Sequence, residues 1–224
     1  MPPSLAMPYE HTWDVDGVPV LHALISLPCP EEKAQRRIRR YYQLQSRAFL
    51  RYCESFLLPE AKSSFAQALS ESHPFQCRET ELNYRITYQE GSLLSLYTQS
   101  REPGPLVIRR GDTWDLSEGA PVPLSRFFRR RCLWRRAFYN AACADLERRQ
   151  RGGAADLRED WRRQLKRSLN PRDYYLTEEG VTFFLPMYAV GGRSEGIPAF
   201  TIPWREGASL RSPQTPPPGQ KVAP

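Results

Sequence analysis

The sequence predicts an α+β fold: an antiparallel β-sheet packed by a long N-terminal helix and a C-terminal helical pair, ending in a β-hairpin plus an edge strand. Short aromatic and β-branched runs bounded by Gly, Pro and Asp turns, which are typical of strands, occur in three parts of the chain. Two other segments, one around residue 40 and one at residues 126–168, carry apolar residues at helical spacing. Helices on the faces of a sheet would bury both sets of apolar residues.

The composition is that of a folded protein. Hydrophobic residues make up 40% of the 224 residues and aromatic residues 12%, which is enough for a packed core. No run of about 18 apolar residues is present, and the N-terminus lacks the features of a signal peptide, so we expect no membrane association. We expect a flexible N-terminus over residues 1–8, a single domain over 9–204 and a disordered Pro-rich tail over 205–224.

The cysteines are odd in number and scattered, without the short spacings of a zinc site. This pattern predicts reduced thiols in a cytoplasmic protein rather than disulfides, and we expect neither a cofactor nor a metal. The five are Cys29, Cys53, Cys77, Cys132 and Cys143.

The N-terminal quarter predicts a hairpin and then a long helix. Residues 11–15 and 18–28 are typical of strands, and Asp16-Gly17 is a turn signal between them. Pro30 and the acids after it favour a helix start. The predicted apolar stripe of this helix is Ala34, Ile38, Tyr41, Phe49, Tyr52 and Phe56.

Pro59 should end this helix or begin a second one through Leu69. The arginines between residues 36 and 51 are interpreted as a solvated face. A meander of strands follows, in which residues 81–88 alternate most regularly. Its remaining strands are predicted at 93–99, 106–108 and 113–116, with turns at 110–112 and 117–119.

The segment from Arg126 to Ser168 is strongly basic and helical in pattern. It carries thirteen Arg and one Lys against five acids, a net charge of +9, compared with +7 for the whole chain. Gly152-Gly153 divides it into two helices. The first has an apolar stripe of Trp134, Phe138, Ala141, Ala142 and Leu146, and the second one of Leu157, Trp161 and Leu165. Helical ion pairs between residues four apart, such as Glu159 with Arg163, account for the acidic residues of this segment.

The last strands lie between Asp173 and Trp204. Two aromatic runs, 173–177 and 181–188, flank Glu179-Gly180, where the glycine can supply a positive φ for a hairpin turn. Pro186 should lie at a bulge or an edge because it has no N–H to donate. A third strand follows at 196–204, with Phe200, Ile202 and Trp204 on its buried face.

These residues resemble the C-terminal domain of RsiV-like proteins, the extracellular halves of anti-sigma-V factors. The shared strings are Tyr-Leu-Thr-Glu-Glu-Gly-Val-x-Phe, Pro-x-Tyr and Gly-Ile-Pro-x-Phe-x-Ile-Pro. The resemblance implies a binding domain without a catalytic site, whose best understood member binds lysozyme. A Gly-Gly-Ala-His-like segment of the family is replaced here by residues 101–105. The matching positions are Tyr175, Leu176, Thr177, Gly180, Val181, Phe183, Pro186, Tyr188, Gly196, Ile197, Pro198, Ile202 and Pro203.

The sequence has no Gly-rich phosphate loop before a helix and no His-Glu-x-x-His motif. We therefore expect a non-enzymatic, RsiV-like binding or sensor protein with an unknown protein partner. The alternative is a nucleic-acid-binding protein that uses the Arg-rich helices of residues 126–168. In that case Trp134, Phe138, Tyr139 and Trp161 would stack on bases.

The candidate recognition surface is the loop between the last two strands. Its glycines permit unusual backbone shapes, and Arg193, Ser194 and Glu195 between them are expected to be exposed. The alternative is that this loop only returns the chain for its final strand. The candidate binding residues are Tyr188, Gly191, Gly192, Arg193, Ser194, Glu195 and Gly196.

Overall fold

The computed structural model describes residues 9–30, 32–128 and 134–204. The predicted flexible N-terminus, the Pro-rich tail and Cys132 lie outside the described residues. Contacts divide the chain into two compact units, so the single domain over 9–204 stays a prediction. Unit 1 covers Met1–Arg85, Tyr97–Arg109 and Leu116–Ala120, and unit 2 covers Ile86–Leu96, Arg110–Asp115 and Pro121–Pro224.

Six strands form one sheet, in the order of the sequence: β1 (Tyr9–Val15), β2 (Val18–Ile25), β3 (Arg78–Glu90), β4 (Leu93–Arg101), β5 (Val107–Asp115) and β6 (Ala120–Pro121). The β1–β2 pair is antiparallel, as the Asp16-Gly17 turn predicts. The β2–β3 pair is parallel, from Leu21 opposite Arg78 to Ile25 opposite Leu82, because helices cross over between these strands. The predicted antiparallel sheet therefore contains a parallel pair.

The crossover in unit 1 is a long helical segment that contains a π-helical turn. A 3₁₀ turn at Lys33–Gln35 leads into α1 (Arg36–Tyr52), and the π turn at Cys53–Leu57 joins it to α2 (Leu58–Ser70). Pro59 lies in the first turn of α2, directly after the π turn, so it begins the second helix rather than ending the helical segment. The side chain of Ala34 lies outside the description. The buried stripe consists of Ile38, Tyr42, Phe49, Cys53, Leu57, Ala61 and Phe65.

The π turn explains why the predicted stripe was wrong at its end. Buried residues from Phe49 to Phe65 recur every four positions. In an α-helix of 3.6 residues per turn, positions four apart would gradually rotate away from the core. A wider π turn absorbs an extra residue and returns the stripe to the core. Phe56, predicted to be apolar core, is instead 62% exposed and stacks on Tyr52.

Cys53, in the π turn, should be the least reactive of the described cysteines. It is fully buried, and burial raises the pKa of its thiol to about 11, whereas the thiolate is the reactive form. Cys29 and Cys143 are only partly buried. We expect a thiol reagent to modify these two in the native protein and all five in denaturant without reductant, as mass spectrometry would show. Native labelling of Cys53 as fast as Cys29 would contradict this.

Unit 2 contains a second, three-stranded antiparallel sheet, which confirms the predicted hairpin plus edge strand. Its order is β7 (Tyr174–Leu176), β8 (Gly180–Phe184) and β9 (Ala199–Pro203). Gly180 does not take the predicted positive φ. A glycine is needed there because a Cβ would overlap the carbonyl of Ile202 in β9.

Strand β5 runs unbroken through residues 110–112, where the sequence predicts a turn. Gly111 permits close packing instead of a reversal, because a Cβ at this position would overlap the backbone of Tyr174 in β7. The predicted turn at 117–119 is confirmed.

The predicted C-terminal helical pair consists of α3 (Trp134–Arg151) and α4 (Trp161–Ser168). Phe183 of β8 lies at the centre of their core, with its ring 4.4 Å from the ring of Phe138 and stacked on Trp134. The second helix is shorter than predicted, because Leu157 forms an isolated β-bridge with Gly191 instead. No helix in the described ranges is both long and apolar enough to cross a membrane.

Candidate functional site

The loop at residues 188–196, called here the recognition loop, connects β8 to β9 in unit 2. Backbone hydrogen bonds hold it against the segment that precedes α4. Arg158 N donates to Val190 O at 3.0 Å, and Gly192 N donates to Asp156 O at 3.1 Å. Gly191 is buried there, since a Cβ would overlap Asp156 and the side chain of Glu195. The loop backbone is therefore fixed by its neighbours.

Glu195 is the central anchor of the recognition loop, and the prediction that it is exposed is wrong. Its side chain is 2% exposed and forms an ion pair with Arg149 of α3. Its Oε1 accepts a hydrogen bond from Asp156 N at 2.9 Å. A buried carboxylate needs such partners to offset its desolvation, and this requirement draws Glu195 inward.

Arg193 and Ser194 form the exposed tip of the recognition loop. They lie in a 3₁₀ turn closed by a hydrogen bond from Gly196 N to Arg193 O at 3.1 Å. Gly196 ends the turn at φ +58°. Tyr188 enters the loop at φ +67°, a conformation that costs a non-glycine residue free energy and is kept only where the surroundings enforce it. The structure thus displays two of the predicted polar residues and buries the third.

Ion pairs involve five of the ten described cations between residues 134 and 168, the segment that carries α3 and α4. Arg163 pairs with Asp160 and not with Glu159, so the predicted pair is wrong. The hydrogen bond from Arg163 lowers the pKa of Asp160. Such pairs weaken the positive field that a nucleic acid would meet. The ion pairs are Arg148–Asp145, Arg149–Glu195, Arg158–Asp160, Arg162–Glu147 and Arg163–Asp160.

Two of the four aromatic residues predicted to stack on bases are in the core. Phe138 is 1% exposed and Trp161 is 3% exposed. Trp134 stacks on Phe183, and the Tyr139 ring lies beneath the ammonium of Lys166. The prediction that this set is available for base stacking is wrong for Phe138 and Trp161, because the apolar stripe of each helix packs on β8 and its neighbours.

A basic groove on unit 1 was missed by the sequence interpretation. It lies along residues 36–47 of α1 and has a volume of about 760 Å³. The relevant signal was present, because arginines recur three and four residues apart and therefore share a helix face. The sequence alone predicts only a solvated face for these arginines. The groove is lined by Lys33, Arg36, Arg37, Arg39, Arg40, Gln43, Leu44, Arg47 and Glu118.

The described histidines, cysteines and acids are dispersed over the fold. Within the part of the chain that the structure describes, no three of these side chains converge to hold an ion. His22 instead lies next to Thr12, with its Nδ1 3.0 Å from the threonine hydroxyl.

Comparison with known proteins finds similarity to one family, which is described as of unknown function. A search of curated proteins found no match. Two solved structures have the same fold at low sequence identity. One is a member of the DUF3298 family from Bacteroides fragilis, with a TM-score of 0.64, 13% identity, and coverage of 94% of this chain and 95% of that one. The other is a DUF3298 family protein from Pseudomonas aeruginosa, with a TM-score of 0.57, 16% identity, and coverage of 91% of each chain. Residues 133–205, which include α3, α4 and the recognition loop, match the family described as protein of unknown function (DUF3298).

Proposed function

We propose that this chain is a non-catalytic, RsiV-like binding protein of the cytoplasm that recognises a protein partner through the tip of the recognition loop. The observation that carries this proposal is the buried Glu195 anchor. It holds Arg193 and Ser194 outward on a backbone that needs little further ordering when a partner binds. A preorganised loop loses less conformational entropy on binding than a mobile one.

The resemblance to RsiV-like proteins supports the same surface. Its matched positions include Pro186, Tyr188 and Gly196, which shape the chain between β8 and β9. Pro186 is exposed just after β8, and Pro203 is the last residue of the edge strand β9. The odd cysteine number supports a reducing compartment. Nucleic-acid binding by residues 126–168 has less support, because six of their ten described arginines pair with acids and two of the four stacking candidates are buried.

The proposal is tested by crosslinking from the loop tip inside the source cells. A photoreactive amino acid at position 194 should capture a defined protein, identified by mass spectrometry, and Arg193→Glu in the same chain should abolish that capture. Glu195 must be left intact, since changing it would disturb the fold as well as the surface. The matched control carries the photoreactive group at the exposed turn residue Glu178.

Two outcomes would contradict the proposal. One is the same captured protein from positions 178 and 194, which would indicate non-specific proximity. The other is capture from position 194 that persists in the folded Arg193→Glu variant, which would mean that the loop is only a connection between strands.

A further inference from the structure

The positive charges of the basic groove are placed where they destabilise helix α1. Lys33 and Arg37, and likewise Arg36 and Arg40, are like charges four residues apart, an arrangement that destabilises a helix. Arg36 and Arg37 also occupy the first turn of α1, where the helix dipole favours acids, and this turn contains none. Such a pattern is stabilised when an anionic group lies in the groove.

The cations of the groove are also available to a ligand. Lys33, Arg36, Arg37, Arg40 and Arg47 are all exposed. The ion pairs in the described ranges involve none of these five cations, whereas four of the eight arginines of α3 and α4 have an acidic partner. Glu118, in the turn after β5, is the acid that contributes to the groove lining.

We propose that the basic groove binds an extended, acidic peptide segment of a partner protein. Arginine forks bind carboxylates with two parallel hydrogen bonds, and four of the five available cations are arginines. From Arg36 to Arg47 the helix rises about 16 Å, the length of about five residues of extended chain. Leu44, 52% exposed within the groove, provides a contact for one apolar side chain among the acids.

The lining is less suited to a nucleic acid. Single strands bind where aromatic rings supply stacking surfaces, and the residues that line this groove include no aromatic ring. A concave space of about 760 Å³ is also the size that encloses a small ligand or a short peptide rather than the side of a duplex. This inference concerns a surface of unit 1 and does not depend on the recognition loop.

The test is fluorescence anisotropy with a labelled peptide, Glu-Asp-Glu-Leu-Glu-Asp-Glu, and with its Gln/Asn counterpart. We expect the full chain to bind the acidic peptide and not the neutral one. Added salt should weaken the binding. The variant Arg36→Glu/Arg40→Glu/Arg47→Glu should weaken binding by roughly thirtyfold or more, since three carboxylate partners are reversed.

The matched control is Arg51→Glu/Arg85→Glu/Arg172→Glu, which makes the same change in net charge at exposed positions outside the groove. It should weaken binding by no more than about threefold. Circular dichroism and the melting temperature check that each variant is folded. The corresponding triple Arg→Gln variant of the groove is measured in parallel, and it decides the question if the Glu variant does not fold.

Three results would overturn the proposal. Equal losses in the groove and control variants would mean that only overall charge attracts the peptide. If the unmodified chain did not bind the acidic peptide, the proposed ligand of the groove would be wrong. Displacement of the peptide by a single-stranded or duplex oligonucleotide at lower concentration than by unlabelled peptide would assign the groove to nucleic acid instead.

Discussion

Replacing Glu195 with Ala should lower the free energy of unfolding by about 3 kcal/mol, the cost of breaking a buried ion pair. The change removes the partner of Arg149, whose side chain is only 31% exposed, and it leaves Asp156 N without its acceptor. It also opens a gap against Gly191, which packs on the side chain of Glu195. The loss should appear in urea denaturation as a lower midpoint with an unchanged slope.

Two further variants separate the charge of Glu195 from its shape. Glu195→Gln keeps the volume and one acceptor oxygen, so it should destabilise less than Glu195→Ala. Glu178→Ala removes an acid from an exposed turn, and it should change stability by no more than about 0.5 kcal/mol. Equal midpoints for Glu195→Ala and Glu178→Ala would mean that the anchor contributes nothing.

Gly111→Ala should also lower the free energy of unfolding by about 3 kcal/mol, at the upper end of what overpacking costs. The added methyl group would overlap the backbone of Tyr174, which cannot move aside as the end of a side chain could. Tyr174 is itself held by a hydrogen bond from its hydroxyl to Val122 O at 2.6 Å, so its strand has little freedom to shift.

Gly152→Ala is the matched control for this substitution. Gly152 follows α3, and a Cβ there would meet the carbonyls of Arg148 and Arg149 at 3.6 Å, an ordinary contact. Its stability should change by no more than about 0.5 kcal/mol. Thermal unfolding followed by circular dichroism measures both variants, and a Gly111→Ala melting temperature that matches the Gly152→Ala value would refute the close packing of β5 and β7.

The parts of the fold that depend on local pattern could be predicted from the sequence. The β1–β2 hairpin, the break at Gly152-Gly153 and the final hairpin with its edge strand follow from turn residues and periodicity. These signals act within a few residues, so a single sequence contains them completely.

The features that the sequence did not predict depend on residues far apart in the chain. Glu195 is buried because Arg149, 46 residues earlier, faces it. The local sequence around Gly111 is typical of a turn, and only the nearby backbone of Tyr174 shows why a glycine is needed there. The basic groove becomes visible only when α1 and Glu118 enclose a concave space. Each case needs a tertiary partner that local periodicity cannot identify.

The parallel pairing of β2 with β3 affects how the chain folds. Ile25 and Arg78 bound a long loop, and closing a loop costs entropy that grows with the length of flexible chain. Helices α1 and α2 fill most of that loop, and each forms through contacts within its own turns, far faster than distant strands meet. Once helical, they behave as stiff segments and shorten the flexible chain that remains. Early helix formation should therefore speed the closure of the parallel pair, and the slowest step in folding unit 1 should be the arrival of β3 beside β2.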